Sequence, residues 1–397
     1  MADLPSEILI AVLCRLPVRS LLRFRSVSKP FRSLIDSTGF IDLHLKNSIE
    51  TGSNLSLMLR RDSEIYLINL DALSDAVLLA HPLMCYSNRI LILGSTNGLI
   101  CISNVAEDIA LWNPSIRRHK VLPFLPIERI GSSLLGTRVF GFGYDPVSED
   151  YKLVRISQFI NLDNEGFVSK VKVYSLRANE WRDSEDMPYV LCYARKNGTF
   201  ASGALHWVVN RKFNVEEADL IVAFDLTVER FREVPLPECE EKRFHIEVGV
   251  LGRCVCMIAT YPDVRIDVWV MREYGVKESW AKLFSVAKAD VVGSYKYLRP
   301  LAYSKTGREV LVELDNQRLV WYDLRGKRVE NVSVGGLPDS FEAEIFVGSL
   351  VPTAASRRDH GKKQSLEEEK NKKNRGLQIG AISKQQDERK RGEDVLL

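Results

Sequence analysis

One short pattern recurs six times between residues 53 and 350 of this 397-residue chain. Each copy pairs two apolar residues, adds a polar or small one, and then turns. The copies are Leu67-Ile68-Asn69-Leu70, Leu111-Trp112-Asn113-Pro114, Val173-Tyr174-Ser175-Leu176, Ala223-Phe224-Asp225-Leu226, Val268-Trp269-Val270-Met271 and Trp321-Tyr322-Asp323-Leu324. Their second positions are 44, 62, 50, 45 and 53 residues apart. A charged turn and a returning strand follow, as in IRRHKVLP, RANEWRDSE, TVERFREVPLP, EYGVKESWAKLF and RGKRVENVSV. A glycine followed by an apolar run precedes several copies: NGLICI from Asn97, SGALHWVV from Ser202, LGRCVCMI from Leu251 and TGREVLVEL from Thr306. Short β-branched and aromatic runs between Asn, Asp, Gly and Pro turns are strand signals.

Three or four strands every ~50 residues is the period of a kelch-type β-propeller. A single four-stranded blade cannot bury both of its faces, whereas blades stacked around an axis can. Six copies therefore predict about six blades. A pair of twisted β-sheets packed as a sandwich also accommodates short, evenly spaced strands, and stays open on this pattern.

The first fifty residues differ, with helical periodicity. Ile8, Leu9, Val12, Leu13 and Leu16 fall on one side of a helix that Pro5 opens and Pro17 ends. Leu21, Leu22 and Phe24 form a second apolar stripe. Ser28 is placed to cap a third helix with Pro30 in its first turn, and Ser37 to cap a fourth carrying Phe40, Ile41 and Leu45. So much leucine on so small a unit calls for a partner to cover it.

This segment resembles an F-box. Leu4-Pro5, Glu7-Ile8, Arg15-Leu16-Pro17, Leu21, Arg23, Arg25, Val27, Ser28 and Lys29 fill the family pattern, with Phe31 where Trp is usual and Thr38-Gly39 in place of a common Pro-Asp. The resemblance implies that Leu4, Pro5, Ile8, Leu9, Leu13, Leu16, Pro17, Leu21, Leu22 and Val27 bind a SKP1-type adaptor and, through it, a cullin. The later motifs NGLICI, LWNPSIRRHKVLP, FGFGYDPVSEDYKLVRI, KVKVYSL, NGTFASGALHWVV, IVAFDL and DVWVMREYGVKESWAKLF resemble the interaction domain that accompanies the F-box in plant proteins. Together with RPLAYSK and LVWYDL they are most similar to the "constitutive expresser of pathogenesis-related genes" type of F-box/kelch-like protein. The Gly-Gly doublet usual in kelch repeats occurs only at Gly335-Gly336.

The expected organisation is thus α+β and multidomain. A small helical F-box spans 1–49, an all-β kelch-like propeller 50–353, and a disordered charged tail 354–397. In that tail apolar residues are too few to offset the entropy of ordering. Its Ser365-Leu366-Glu367-Glu368 has the form of a capping box. Basic clusters at Lys370–Arg375 and Arg389–Arg391 are interleaved with acids, which reads as a solvated segment more than as a nuclear-import signal.

The remaining features narrow the function. Hydrophobic residues are 45% and charged residues 27%, ordinary globular values. A net charge of +3 gives no argument for nucleic acid. Asp3 and Glu7 flank a start unlike a signal peptide. The longest apolar stretch, Val77–Leu93, is broken by His81, Pro82, Asn88 and Arg89, too soon for a membrane helix. Seven scattered cysteines fit reduced thiols in cytoplasm or nucleus. Cys254 and Cys256 have no second pair at zinc spacing. Gly141-Phe142-Gly143 is too short for a dinucleotide fingerprint. His206 beside Trp207 reads as a core or channel residue, and Asp145-Pro146 with Glu149-Asp150 as a turn. The function that the resemblance implies is the substrate receptor of a SKP1–cullin–F-box ubiquitin ligase that directs targets, plant immune receptors among them, to degradation without catalytic residues or cofactors of its own. A scaffold without degradation and a propeller enzyme are the alternatives, and a buried polar cluster at the axis would favour the enzyme. The target-binding residues are not legible. The long connections 126–137, 158–170, 183–197 and 210–219 are their candidates.

Overall fold

The computed structural model describes residues 5–84, 89–131, 133–161, 166–192, 196–212, 220–238, 244–287 and 295–353. The expected charged tail, and with it the capping box and both basic clusters, lies outside the described residues. Four helices come first: α1 (Ser6–Leu13), α2 (Val18–Phe24), α3 (Lys29–Ile35) and α4 (Thr38–Thr51). Six antiparallel sheets follow and form a closed β-propeller.

Each recurring sequence unit is one blade. Counted outward from the axis, blade 2 runs Ile90–Thr96, Leu99–Asn104, Ile109–Asn113 and Arg118–Val121. Blade 3 runs Leu134–Asp145, Asp150–Asn161, Gly166–Ser175 and Glu180–Asp183. In blade 4 the inner edge of Ala204–Asn210 is shared by Thr199–Ala201 and Val190–Leu191, and Leu220–Asp225 and Arg230–Val234 lie outside it. Blade 5 runs from His245–Leu251 to Trp280–Ala287, and blade 6 from Leu298–Tyr303 to Val329–Asn331. Blade 1 is composite. Its inner strand is the last of the chain, Glu342–Val347, paired antiparallel with the first, Leu55–Arg61, at Leu57↔Ile345. The six recurrent apolar pairs are all third strands, and the four glycine-led runs are all second strands.

The repeat has a local physical cause. In six hairpins an Asn, Asp or Ser side chain accepts a hydrogen bond from a backbone N–H two or three residues on. These are Asn69 from Asp71 at 2.9 Å, Asn113 from Ser115 at 3.0 Å, Asp145 from Val147 at 3.0 Å, Ser175 from Ala178 at 3.0 Å, Asp225 from Thr227 at 2.8 Å and Asp323 from Arg325 at 2.8 Å. Four residues beyond each, the chain turns back through positive φ at Leu73, Arg117, Glu149, Asn179, Glu229 and Lys327. The short polar side chain substitutes for a backbone acceptor and fixes the turn.

The core lies between the blades. Leu57, Leu59, Leu311 and Leu319 fill the seam of blades 6 and 1. Val154, Val173, Leu205 and Val222 fill that of blades 3 and 4, and each other seam has its own apolar layer. Two buried polar joints pin neighbouring blades together. Lys152 Nζ reaches Asp145 at 2.9 Å, Glu229 at 3.0 Å and the Leu226 carbonyl at 2.5 Å, which ties blade 3 to blade 4. Burial alone would raise the Asp145 pKa, but bonds from Ser148, Lys152, Thr227 and the Val147 N–H hold it well below the usual carboxylate range. The Asp145-Pro146 segment is thus the turn expected. His206, fully buried, joins blade 4 to blade 5: Nδ1 lies 3.1 Å from the Thr199 carbonyl and Nε2 2.8 Å from the Tyr274 hydroxyl. A carbonyl only accepts, so Nδ1 carries the proton and Nε2 accepts from Tyr274.

Two measurements test these joints. Removing the Lys152 ammonium as Lys152→Ala leaves Asp145 buried and unpaired, and should cost ~3–5 kcal/mol by urea denaturation. A loss below ~1 kcal/mol would show the network to be incidental. Burial lowers the His206 pKa from 6.5 to about 4. The unfolded chain therefore takes up the proton first as pH falls. The contribution is whole above 6.5 and is lost on the way down to about 4, a total of about 3 kcal/mol. His206→Gln should flatten stability against pH over that window. An unchanged slope would refute the neutral, buried imidazole.

Candidate functional site

Two surfaces on opposite sides of the propeller are candidates. The first is the outer face of the helical unit. Pro5 caps α1 and Pro17 caps α2, while the Ser28 and Ser37 hydroxyls accept from the N–H of Phe31 at 3.4 Å and Phe40 at 3.3 Å. Of the ten residues read from the sequence as adaptor-binding, Pro5, Ile8, Pro17 and Val27 are exposed, and Leu9, Leu16 and Leu22 are half-buried. Leu4 lies outside the described residues. Leu13 and Leu21 correct the expectation. They are 2% and 0% exposed and pack with Cys14, Val18, Ile35 and Phe40 in the core of the helical unit, so they have no surface to offer. Val12 and Phe24, outside that set, are also exposed, at 54% and 39%. The doublets Ile8-Leu9 and Val12-Leu13 look alike in sequence, but one helical turn aligns Leu9 with Leu13 inward and Ile8 with Val12 outward.

The helical unit is built into the propeller. Its core includes Leu350, from the segment after the last strand, and Ile116, from a blade 2 turn. On the other side of α4, Ile41 and Leu45 pack into the seam of blades 2 and 3. Asn113 Nδ2 donates to the Ser349 carbonyl, the Ser349 hydroxyl and the Val351 carbonyl at 3.1, 3.0 and 2.8 Å. The Ser349 hydroxyl donates in turn to the Gly98 carbonyl at 3.2 Å. A Cβ on Gly98, whose φ is +77°, would stand 2.0 Å from the Ser349 hydroxyl, which explains the glycine of NGLICI. His44 Nε2 bonds the Leu16 carbonyl at 3.0 Å and Asn47 donates to the Cys14 carbonyl at 3.1 Å, which ties α4 to α1 and its turn.

The strand order fixes which loops share a face. Turns between first and second, and between third and fourth strands, open toward the helical unit. Those between second and third, and from one blade to the next, open away from it. All four long connections singled out in the sequence open on this far face. Parts of them are strand instead of loop: 134–137, 158–161 and 166–170 extend blade 3. Residues 132, 162–165, 193–195 and 213–219 lie outside the described residues.

A channel of about 1260 Å³ runs along the axis between the two faces. Ile49–Ser53 at the end of α4 border its near mouth. Toward the far mouth, charged side chains line it or stand just behind its wall. Arg299 pairs with Glu313 at 2.8 Å, Arg60 with Glu342, and Lys196 with Glu247, while Glu344 has Arg299 Nη1 at 3.8 Å. Burial raises the pKa of both Glu313 and Glu344, Arg299 opposes it, and Glu342 adds to the rise. Cys254 and Cys256 sit in blade 5, the latter buried with its thiol pushed up to about 12, and among the described residues no three His, Cys, Asp or Glu side chains gather as a metal site.

Residues 56–357 match the F-box associated beta propeller domain family, and residues 1–43 match the F-box domain family. The chain is 39% identical over 370 residues to F-box protein CPR1 of Arabidopsis thaliana, covering 88% of this chain and 89% of that protein. It is 33% identical over 378 residues to F-box protein At4g22390 of the same plant, covering 90% and 94%. Among solved structures, an oligogalacturonate lyase from Vibrio parahaemolyticus aligns at TM-score 0.41 and 9% identity over 71% of this chain and 75% of that one, too distant to carry an argument.

The inward and outward helix positions should separate in stability measurements. Leu21→Ala should cost ~2–5 kcal/mol, as large-to-small core changes do. Ile8→Ala and Val12→Ala should each stay within ~0.5 kcal/mol of the parent. Comparable losses at all three positions would mean that Ile8 and Val12 are covered within the chain.

Proposed function

This chain belongs to the F-box proteins that carry an F-box associated β-propeller domain, and on that premise we propose that it is the substrate-recognition subunit of a SKP1–cullin–F-box ubiquitin ligase. The observation that carries the reading is the division of the molecule. An apolar helical face with Pro5, Ile8, Val12 and Val27 uncovered stands on one side, and the long propeller loops stand on the other. The joint between them is buried and hydrogen-bonded. A receptor of this build acts by proximity. The helical face holds an adaptor, the far face holds a protein target, and the target's lysines are kept at high effective concentration near a ubiquitin-loaded enzyme. The receptor needs no reacting group for this.

A polar cluster does line the axis, which is the feature that favours a propeller enzyme. Its strongest partners are spent on one another, Arg299 with Glu313 and Lys196 with Glu247. Among the described lining residues, no hydroxyl is hydrogen-bonded to a carboxylate or imidazole, the arrangement that activates a nucleophile. We read the axis as a binding surface. The likeness to the "constitutive expresser of pathogenesis-related genes" type extends the proposal: the targets include plant nucleotide-binding leucine-rich-repeat immune receptors, the protein restrains defence, and it works in cytoplasm and nucleus.

Ile8→Ala with Pro5→Ala should weaken capture of a SKP1-like adaptor at least tenfold, since buried interface anchors cost ~1–4 kcal/mol on truncation. In cells the intact chain should shorten target half-life, and the double variant should lengthen it by occupying the target without the ligase. Cutting the chain at residue 50 is a poorer test, because it divides α4 and uncovers Leu350. Equal half-lives with both proteins would remove degradation from the proposal and leave a scaffold. Adaptor capture unaffected by the double variant would remove the assignment of the helical face.

A further inference from the structure

The far half of the axial channel has unequal charge. Among the described residues, Glu313, Glu342 and Glu344 pair with two guanidinium groups, Arg60 and Arg299. Lys196 and Glu247 nearer the rim cancel each other. Arg299 is committed: its Nε and Nη2 lie 2.9 and 2.8 Å from one Glu313 oxygen, and Nη2 also donates to the Ala343 carbonyl. That leaves Nη1 for Glu344, at 3.8 Å and beyond hydrogen-bonding distance. Glu313, fully buried, has a second oxygen with no hydrogen-bond partner. Glu344 lines the channel and its side chain is a third exposed.

We propose that this half of the channel receives a basic side chain, an arginine or lysine presented by the protein target, with Glu344 as its principal partner and Glu342 beside it. A guanidinium fits best, because it offers planar paired donors to a carboxylate. A lone metal ion fits poorly, since these carboxylates do not converge as a coordination shell among the described residues. An anion would meet the excess of carboxylates. The wall is suited to a cation in a second way. Lys196 Nζ lies over the Tyr297 ring at 5.0 Å, so the wall already holds one cation on an aromatic face, and Trp321 also borders the cavity. The proposal rests on the reading of this chain as a target receptor and narrows the class of target it takes.

The test uses the full chain and three peptides, carboxyfluoresceinyl-Gly-Ser-Xaa-Ser-Gly-amide with Xaa arginine, lysine or citrulline. Citrulline keeps the shape of arginine without its charge. Binding followed by fluorescence polarisation should favour arginine over citrulline at least tenfold, with lysine between. Glu344→Gln should abolish the preference at an unchanged melting temperature, and Glu344→Asp should retain part of it. Raising salt from 50 to 300 mM should weaken the arginine and lysine peptides and leave the citrulline peptide unchanged. Equal binding of arginine and citrulline peptides, or a preference untouched by Glu344→Gln, would overturn the proposal. If Glu344→Gln lowers the melting temperature, Glu344→Asp decides: loss of the preference with the charge retained overturns it. Adaptor capture by the same variants separates this outcome from the ligase reading. Glu344→Gln should leave capture intact, and Ile8→Ala with Pro5→Ala should leave peptide binding intact.

Discussion

The pairing of Glu342–Val347 with Leu55–Arg61 is the constraint on which the rest depends. A ring of blades has no end only if one blade is made from both ends of the chain. Without that strand, blade 1 would lack its inner edge, and Leu57, Leu59 and Met58 would face an open seam. The same strand delivers residues 348–351 to the near face. There Asn113 and Gly98 grip Ser349, while Leu350 enters the helical core. Closing the ring and fixing the helical unit are therefore one structural event. Any loosening of the closure strand would reach the adaptor face through Leu350. The contacts span 236 to 251 residues in sequence at Asn113 and Gly98, so a large loop-closure entropy opposes their formation.

Much of this was legible in the sequence because it rests on local rules. The six apolar pairs mark third strands, and the Asn, Asp or Ser that follows is the turn acceptor, so period and chemistry coincide at Asn113, Ser175, Asp225 and Asp323. The helix caps at Ser28 and Ser37 are equally local. What the sequence did not yield is the long-range part. The composite blade 1 has no repeat signature in its inner strand. The irregular step of 62 residues before blade 3 reflects strands of 12, 12 and 10 residues, longer than those of any other blade. The channel charges also escaped notice. Arg299, Glu313 and Glu344 come from two blades, and nothing in LRPLAYSK or FEAEIFV marks them as neighbours.

The helical surface shows a related limit. Periodicity names a helix and its apolar side, but a side that is apolar over two adjacent columns does not say which column is covered. The resemblance grouped Leu13 and Leu21 with Ile8, and packing against Ile35, Phe40 and Leu350 separates them. A family motif preserves both kinds of residue, those that build the unit and those that present it. A match to the motif therefore identifies the unit more firmly than it identifies the contacts.

The two faces obey different constraints, and this gives the architecture its use. Near-face turns are short, capped by their own side chains, and in blades 2 and 3 they are pressed against α4 and the closing segment; Tyr151, for example, donates to the Asn97 carbonyl at 2.8 Å. A change there disturbs the joint. Far-face connections are held at fewer points, where buried Arg155 binds the Leu125 and Pro126 carbonyls and Glu128, and Gln158 binds Tyr189 and Leu191; the seams beneath them are filled by apolar layers. Recognition can vary on that side while the distance and angle to the adaptor face stay fixed. The channel joins these regimes. Its near mouth is bordered by the end of α4, while its charged half opens on the variable side, so a basic group entering from a target would be held on the same axis that positions the helices. On the proposed function, specificity from the loops and anchoring by Glu344 are separable: the loops would choose the protein, and the channel would set how it is seated relative to the ligase.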